Sequence, residues 1–351
     1  MVTIKEIAEI CGVSATTVSN VLNGKAKASE ETRQKILKAV EEYGYTPNAI
    51  AQGLRNRRSK VIAVISEDIA QFTSPAIIES IVEICENCDY RVVVYNMRLY
   101  DRWQDTWYGD EEKYTSIVNP IIRDIRSSQI DGVIYVAGHA RMIKIFNKDF
   151  ELPTIMCYAF SDSKEIPSVV IDDKSSAYEV VSYLICKGHK RIGFVGGRAD
   201  NIHTVKRLLG YQKALYDNKI FYDPELVYYG DWSRESGYKG AKELFDKHIS
   251  AYFGISDRMT GGIYDFLYEK NVPIGKDISV AGFDNENISS FFRPALTTTE
   301  LPLRAIGKKA AELILDRLEN PDKHEIKEEP EIFEMPCKMI IRDSVKEYRA
   351  K

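Results

Sequence analysis

A chain of 351 residues, 44% hydrophobic and 28% charged, is ordinary globular material with room for two or three packed domains, which excludes a disordered or fibrous protein. No window approaches the ~20 uncharged apolar residues of a membrane helix, and the opening "MVTIKEIAEI" lacks the basic and apolar regions of a signal peptide, so a cytoplasmic protein with no membrane partner is expected. The net charge of −4 hides an asymmetry: residues 1–60 carry ten Lys/Arg against six Asp/Glu, net +4, and the remainder carries −8, the pattern of a small polyanion-binding module on an acidic body.

Ile4, Ile7, Ala8 and Cys11 recur at helical spacing behind a Thr3/Glu6 capping box, so a first helix runs from Ile4 and stops before Gly12. After the turn that Gly12 permits, Ser14 caps a second helix whose stripe Val18, Val21 and Leu22 is buried while Ala15, Thr16, Thr17, Ser19 and Asn20 face outward. Ser29 starts a third helix, and Ile36, Leu37 and Val40 are expected to close the core. This is the plan of a helix-turn-helix, in which the second helix enters the major groove. Short hydroxyl and amide side chains allow close approach to base edges: Asn pairs with adenine, and Ala or a Thr methyl touches the thymine methyl. An ordinary helical hairpin with a polar face is the alternative.

In "YTPNAIAQGLRNRRSK" (45–60), Pro47 opens a short helix carrying Leu54 amid Arg55, Arg57, Arg58 and Lys60. Either this is a solvated basic linker, or Leu54 wedges a base step in the minor groove while the cations meet phosphates.

From residue 61 the chain alternates β-branched runs ("KVIAVIS", "YRVVVYN", "DGVIYVA", "TIMCYA", "RIGFVGG", "LVYYGD", "AYFGIS", "ISVAGFD") with helical patterns. Strands buried on both faces read this way. The alternation predicts parallel, doubly wound α/β sheets, too long for one core and therefore split into two lobes, with a ligand outside the strand carboxyl ends. At those ends stand Arg207 with its forked donor, Asp284 to accept from hydroxyls, Trp232 as a flat face, and Ser256. Taken singly, an ion pair, a core ring and helix caps explain them; their convergence favours a site.

Cys85 and Cys88 form a CxxC without further ligands, so a helix end is expected and no metal site. The six cysteines show no disulfide framework. No HExxH, GxSxG or GxxxxGK[ST] occurs, and no cofactor or enzymatic activity is expected. His189 in "KGHKRI" reads as structural.

"IKEIAEICGVSATTVSNVLNG" and "PNAIAQGLR" resemble the helix-turn-helix and hinge helix of the lactose-repressor (LacI/GalR) family, and "IPSVVIDD", "KGHKRIGFVGG", "ISVAGFDN" and "RPALTTTELPLRAIGKKAAELIL" extend the likeness over more than nine tenths of the chain. The resemblance implies an all-α helix-turn-helix head at 1–46, a hinge helix and linker at 47–60, and an effector-binding and dimerisation core at 61–345 made of two lobes of periplasmic-binding-protein type. Lobe one is expected at about 61–160 plus 291–320, and lobe two at about 161–290 plus 321–345. It places Ala15, Thr16 and Asn20 at base-reading positions and Ser14, Thr17, Ser19 and Asn23 at phosphates, and gives Asn48, Ala51, Leu54 and Arg55 to DNA through the hinge. Arg207, Trp232, Asp284 and Ser256 fall on effector positions, with Pro75, Ile78, Leu303 and Ile306 on apolar pocket positions. Asn20 replaces the arginine usual at its position, and Asn285 replaces an acid that often follows Asp284, so neither operator nor effector identity transfers.

The segment "NMRLYDRWQDTWYGDEEKYTS" (96–116) is longer and more aromatic than the family's usual connection. Trp103, Trp107 and Tyr108 roof the cleft, meet a partner, or cover a loop core. The expected protein is a homodimeric regulator, a repressor, binding a near-palindromic double-stranded operator and answering to a small polar effector, a carbohydrate, that alters hinge-helix formation. No leucine heptad follows "MIIRDS", so a coiled-coil tetramer is not expected. A sugar-transport protein is opposed by the DNA-reading head, and an α/β hydrolase or kinase by the missing catalytic groups.

Overall fold

The computed structural model describes residues 2–22, 28–45, 58–146, 150–323 and 328–348. They divide mainly into a head before Val61 and a body after it. The positions Asn23, Asn48, Ala51, Leu54 and Arg55, and most of the hinge segment, lie outside the described residues.

In the head, α1 (Ile4–Cys11) is closed by the expected Thr3/Glu6 capping box, and Gly12 takes the left-handed conformation (φ 67°) that ends the helix. Ser14 Oγ accepts from the backbone N–H of Thr17 at 3.1 Å and so caps α2 (Ala15–Leu22). Ser29 caps α3 (Glu30–Glu42). Ile7, Ala8, Cys11, Val18, Val21, Ile36 and Ala39 form the core. Leu37, expected inside, is 39% exposed. The inner face of α3 falls on Ile36, Ala39 and the half-buried Val40, and a step of one residue turns Leu37 away from it.

The body opens with β1 (Val61–Ser66), β2 (Arg91–Asn96), β3 (Gly132–Val136), β4 (Met142–Ile143), β5 (Thr154–Cys157), β6 (Phe160–Ser161) and β7 (Ser168–Ile171). Next come β8 (Ile192–Gly196), β9 (Val227–Tyr229), β10 (Ala251–Gly254), β11 (Ser279–Ala281), β12 (Thr298–Glu300), β13 (Ile332–Met335) and β14 (Lys338–Ile340). Two parallel sheets result, ordered β2-β1-β3-β5-β7-β13 and β9-β8-β10-β11, with small pairings β12/β14 and β4/β6. The pairing moves two strands across the expected lobe boundary: β7 lies against β5, and β13 continues that edge with Ile332 opposite Ser168. Residues 168–171 and 332–335 therefore belong to the first sheet, and the chain crosses between lobes near residue 172, between β12 and the helix Leu303–Glu319, and between β13 and β14. β2 also departs from a doubly buried strand. It is an edge strand with Val93 and Val94 exposed.

The remaining helices are α4 (Ser74–Asn87), α5 (Leu99–Trp103), α6 (Glu111–Ser127), α7 (Asp173–Cys186), α8 (Ile202–Asp217), α9 (Arg234–Phe245), α10 (Asp257–Glu269) and α11 (Leu303–Glu319). Cys88 is the C-cap of α4, and all six cysteines are free. His189 is fully buried, joined to Ser250 Oγ at 3.0 Å and to the Lys346 carbonyl at 3.2 Å. No described helix is long and apolar enough to cross a membrane.

Candidate functional site

In each sheet the strand order reverses beside the first strand of its lobe, between β1 and β3 and between β8 and β10, and open parallel sheets bind ligands at the carboxyl ends of such switch points. Two connected chambers lie there. The inner one, about 70 Å³, is lined by Gln71, Thr73, Gly138, His139, Trp232, Ser256, Arg258, Asp284 and Glu286 among others. The outer one, about 500 Å³, shares Gln71, His139, Trp232 and Arg258 with it.

The loop after β3 is fixed by a buried clamp. Glu67, fully buried just past β1, accepts from the Gly138 N–H at 2.8 Å and from the Tyr135 hydroxyl at 2.9 Å, and pairs with Arg141 at 2.7 Å. The Arg141 guanidinium lies over the rings of Trp107 and Tyr114 at 4.7 and 4.8 Å. His139 is thereby held between the chambers, and burial pushes its pKa down to about 3, so the ring is neutral and offers one donor and one acceptor.

On the second lobe, Arg207 of α8 is buried, its Nε donating to Asp173 Oδ1 at 2.7 Å and its Nη1 to the Ile255 carbonyl. Asp173 also meets His203 Nδ1 at 2.8 Å, while His203 Nε2 accepts from the Ala140 N–H at 3.0 Å. With Nε2 accepting, a proton on Nδ1 is donated to Asp173, and the ring ties the loop after β3 to α8 across the lobes. Against the cost of burial, His203 and Arg207 hold the Asp173 carboxyl below its usual range. Asp284 stands 3.5 Å from Arg207 Nη1, and there burial prevails, pushing its pKa up to about 7.

Of the residues expected to contact the effector, Trp232, Ser256 and Asp284 line the inner chamber. Ser256 is spent partly as the cap of α10, accepting from the Met259 N–H at 3.2 Å. Arg207 lines neither chamber; it backs Asp284 from behind. Leu303 lines neither chamber but a further hollow of about 410 Å³, which shares Phe72 and Asp284 with the inner one. Pro75 is exposed in the first turn of α4, and Ile78 and Ile306 turn onto the core, so none of the three lines a chamber. Trp107 is 1% exposed and covers a loop core, Trp103 packs half-buried on the same core, and Tyr108 faces the outer chamber. Sequence reasoning missed Gln71, Thr73, His139, Arg258 and Glu286, each within a few residues of a strand's carboxyl end. Trp232 and Asp284, which both line the inner chamber, hold φ of 71° and 108°.

In the head, Thr16 is exposed and Ser19 and Asn20 are half-exposed along α2, while Ala15 packs partly against the core. Among the described residues no group of His, Cys, Asp or Glu is placed to hold a metal ion.

A helix-turn-helix module and a two-lobed body with its cavities at the sheet switch points define a DNA-binding regulator carrying a small-molecule sensor. Comparison with known proteins agrees. Residues 3–48 match the bacterial regulatory proteins of the lacI family, and residues 181–345 match a periplasmic binding protein-like domain. The chain is 31% identical to the transcriptional regulator RegA of Clostridium saccharobutylicum, covering 92% of this chain and 94% of that one. It is 27% identical to the repressor PurR of Vibrio atlanticus, over 99% of both, and 29% identical to catabolite control protein A of Priestia megaterium, over 98% and 99%. The Lac repressor dimer bound to operator and the anti-inducer ONPF shares the fold with a TM-score of 0.77 at 23% identity, over 98% and 99% of the chains, and a CelR–cellobiose complex does so with 0.63 at 23%, over 98% and 100%. The chain belongs to the LacI family and is a DNA-binding transcriptional regulator.

Proposed function

We propose that this protein is a cytoplasmic homodimeric repressor whose body binds an uncharged carbohydrate in the two chambers and thereby changes operator affinity. The charge balance of the outer chamber carries the effector reading. Arg141 is neutralised by Glu67, Arg198 by Asp200 at 2.8 and 3.0 Å, and Arg258 faces the same space as Asp231, so among the described residues no surplus of cations awaits a phosphate or carboxylate. The remaining lining pairs flat rings with hydroxyl, amide and imidazole groups, which suits a polyol with apolar faces. Ala15, Thr16 and Asn20 read bases, and Ser14, Thr17 and Ser19 contact backbone phosphates. A single recognition helix reads too few base pairs for useful specificity, so two copies bind a near-palindrome. The bare edge strand β2, with Val93 and Val94 exposed at 42% and 37%, is a surface that a second copy would cover.

The test is selection of duplex DNA from a random pool by the full-length protein, followed by titration of the selected site with sugars, sugar phosphates and purines. A palindromic preference with an affinity changed about 5–150-fold by a neutral sugar is expected, the range of a coupling free energy of ~1–3 kcal/mol. No preferred sequence, or a response to purines or phosphates alone, overturns the reading.

A further inference from the structure

The outer chamber owes its first-lobe wall to the long aromatic segment. Tyr100 on α5, with Gln104 and Tyr108 beyond it, faces the space. This wall is rigid. Tyr108 stacks on Trp107 with centroids 4.4 Å apart and planes at 23°, Tyr100 meets Trp107 edge-on at 5.4 Å, and the two tyrosine hydroxyls bond each other. The opposite wall comes from the second lobe, where Asp231 and Asn201 follow strand ends and Arg198 is held flat by Asp200. Only His139 and Trp232 among the aromatic groups line both chambers.

A ring seated at the His139/Trp232 junction sends its hydroxyls inward toward Ser256 and Asp284, and it leaves the space between Tyr100, Gln104 and Tyr108 unfilled. A chamber of about 500 Å³ lies within the ~300–1,000 Å³ of sites that enclose drug-sized ligands, more than one pyranose ring requires. A second sugar ring suits this lining: its C–H face covers the apolar tyrosine rings, and its hydroxyls meet the Gln104 amide and Asp231. We propose that the outer chamber is a second-ring subsite and that the effector is a glycoside of at least two sugar rings; the proposal rests on the carbohydrate reading above.

Calorimetric titration of the full-length protein with glucose and galactose against cellobiose, maltose and lactose tests it. At least one disaccharide is expected to bind tenfold or more tighter than its component hexoses. Tyr108→Ala should erase that advantage and Gln104→Ala should reduce it several-fold, with the losses confined to the disaccharide. Gln104 is exposed, so its variant reports even if Tyr108→Ala disturbs the wall. Hexoses binding as tightly as their disaccharides, or an advantage that survives both substitutions, overturns the second subsite and leaves the carbohydrate reading standing. Absence of binding by every sugar overturns both.

Discussion

Asp284 stands 3.5 Å from the same guanidinium that Asp173 approaches at 2.7 Å, and the two carboxyls shift in opposite directions. Asp173 is held low by two partners, His203 and Arg207, whereas Asp284 has a single, longer contact and is pushed up to about 7 by burial. An acid whose pKa rises on folding keeps a proton that the unfolded chain has already released. Between its ordinary value near ~4 and about 7, stability therefore falls as pH rises, then levels off. Asp284→Asn removes this titration while tolerating the positive φ of 108°. Relative to the parent, the variant should gain thermal stability between pH 5 and pH 8, by a few kcal/mol at most. A melting difference that stays constant over that range would show that Asp284 does not titrate there.

Arg207→Ala should behave otherwise. Its guanidinium is the buried counter-charge of Asp173, and removing one partner of a buried pair typically costs ~3–5 kcal/mol because the other charge is left uncompensated. The expected outcome is a large drop in denaturant midpoint in addition to a lost effector response. Arg207→Lys keeps the charge without the fork that reaches both Asp173 and the Ile255 carbonyl, and should recover only part of the stability. Equal midpoints for the parent and Arg207→Ala would mean that the pair contributes nothing to the fold.

Much of this architecture was legible in the sequence because each cue has a local cause. Thr3 with Glu6, Gly12, Ser14 and Ser29 set the head's helix ends by capping chemistry within a few residues. The β-branched runs located most strands of both sheets. What stayed hidden depends on distant partners. β13, "IFEM", carries a glutamate in an exposed, alternating strand, and it becomes part of the first sheet only through pairing with β7, more than 150 residues earlier. Arg207 reads in the sequence as a forked donor for an effector, whereas its fork is taken by Asp173 and the Ile255 carbonyl, partners that no local pattern reveals. His139 and Arg258 look like ordinary loop and helix residues until the strand ends of two lobes are brought together.

Helices α9 and α10 cross on glycines. A Cβ built on Gly237 would stand 1.9 Å from the Met259 carbonyl oxygen, and one on Gly262 would stand 1.9 Å from that of Arg234. Backbone cannot give way as a flexible side chain can, so Gly237→Ala or Gly262→Ala must push the helices apart and is expected to cost ~1–3 kcal/mol or more. Because Arg234 is the first residue of α9 and Asp257 of α10, the displacement also reaches Ser233 and Arg258, which line the outer chamber. Effector affinity should fall together with the melting temperature. A variant that melts like the parent would mean the two helices pack less closely than the contact distances require.

The head separates stability from recognition at neighbouring residues. Ser14 Oγ accepts from the Thr17 N–H at 3.1 Å, satisfying one of the backbone donors that the start of α2 leaves open, and Ser-to-Ala at such a cap typically costs ~1 kcal/mol. Thr16, the second residue of α2 and exposed, makes no capping contact. Ser14→Ala should therefore speed hydrogen exchange of the α2 amides and, if its hydroxyl meets a phosphate as proposed, weaken binding to all duplex sequences alike. Thr16→Ala should leave exchange rates unchanged and alter which base is preferred at one operator position, by the ~1–3 kcal/mol that a base contact is worth. If Thr16→Ala weakens every sequence equally, α2 does not read bases through this face, and the recognition surface must be sought elsewhere on the head.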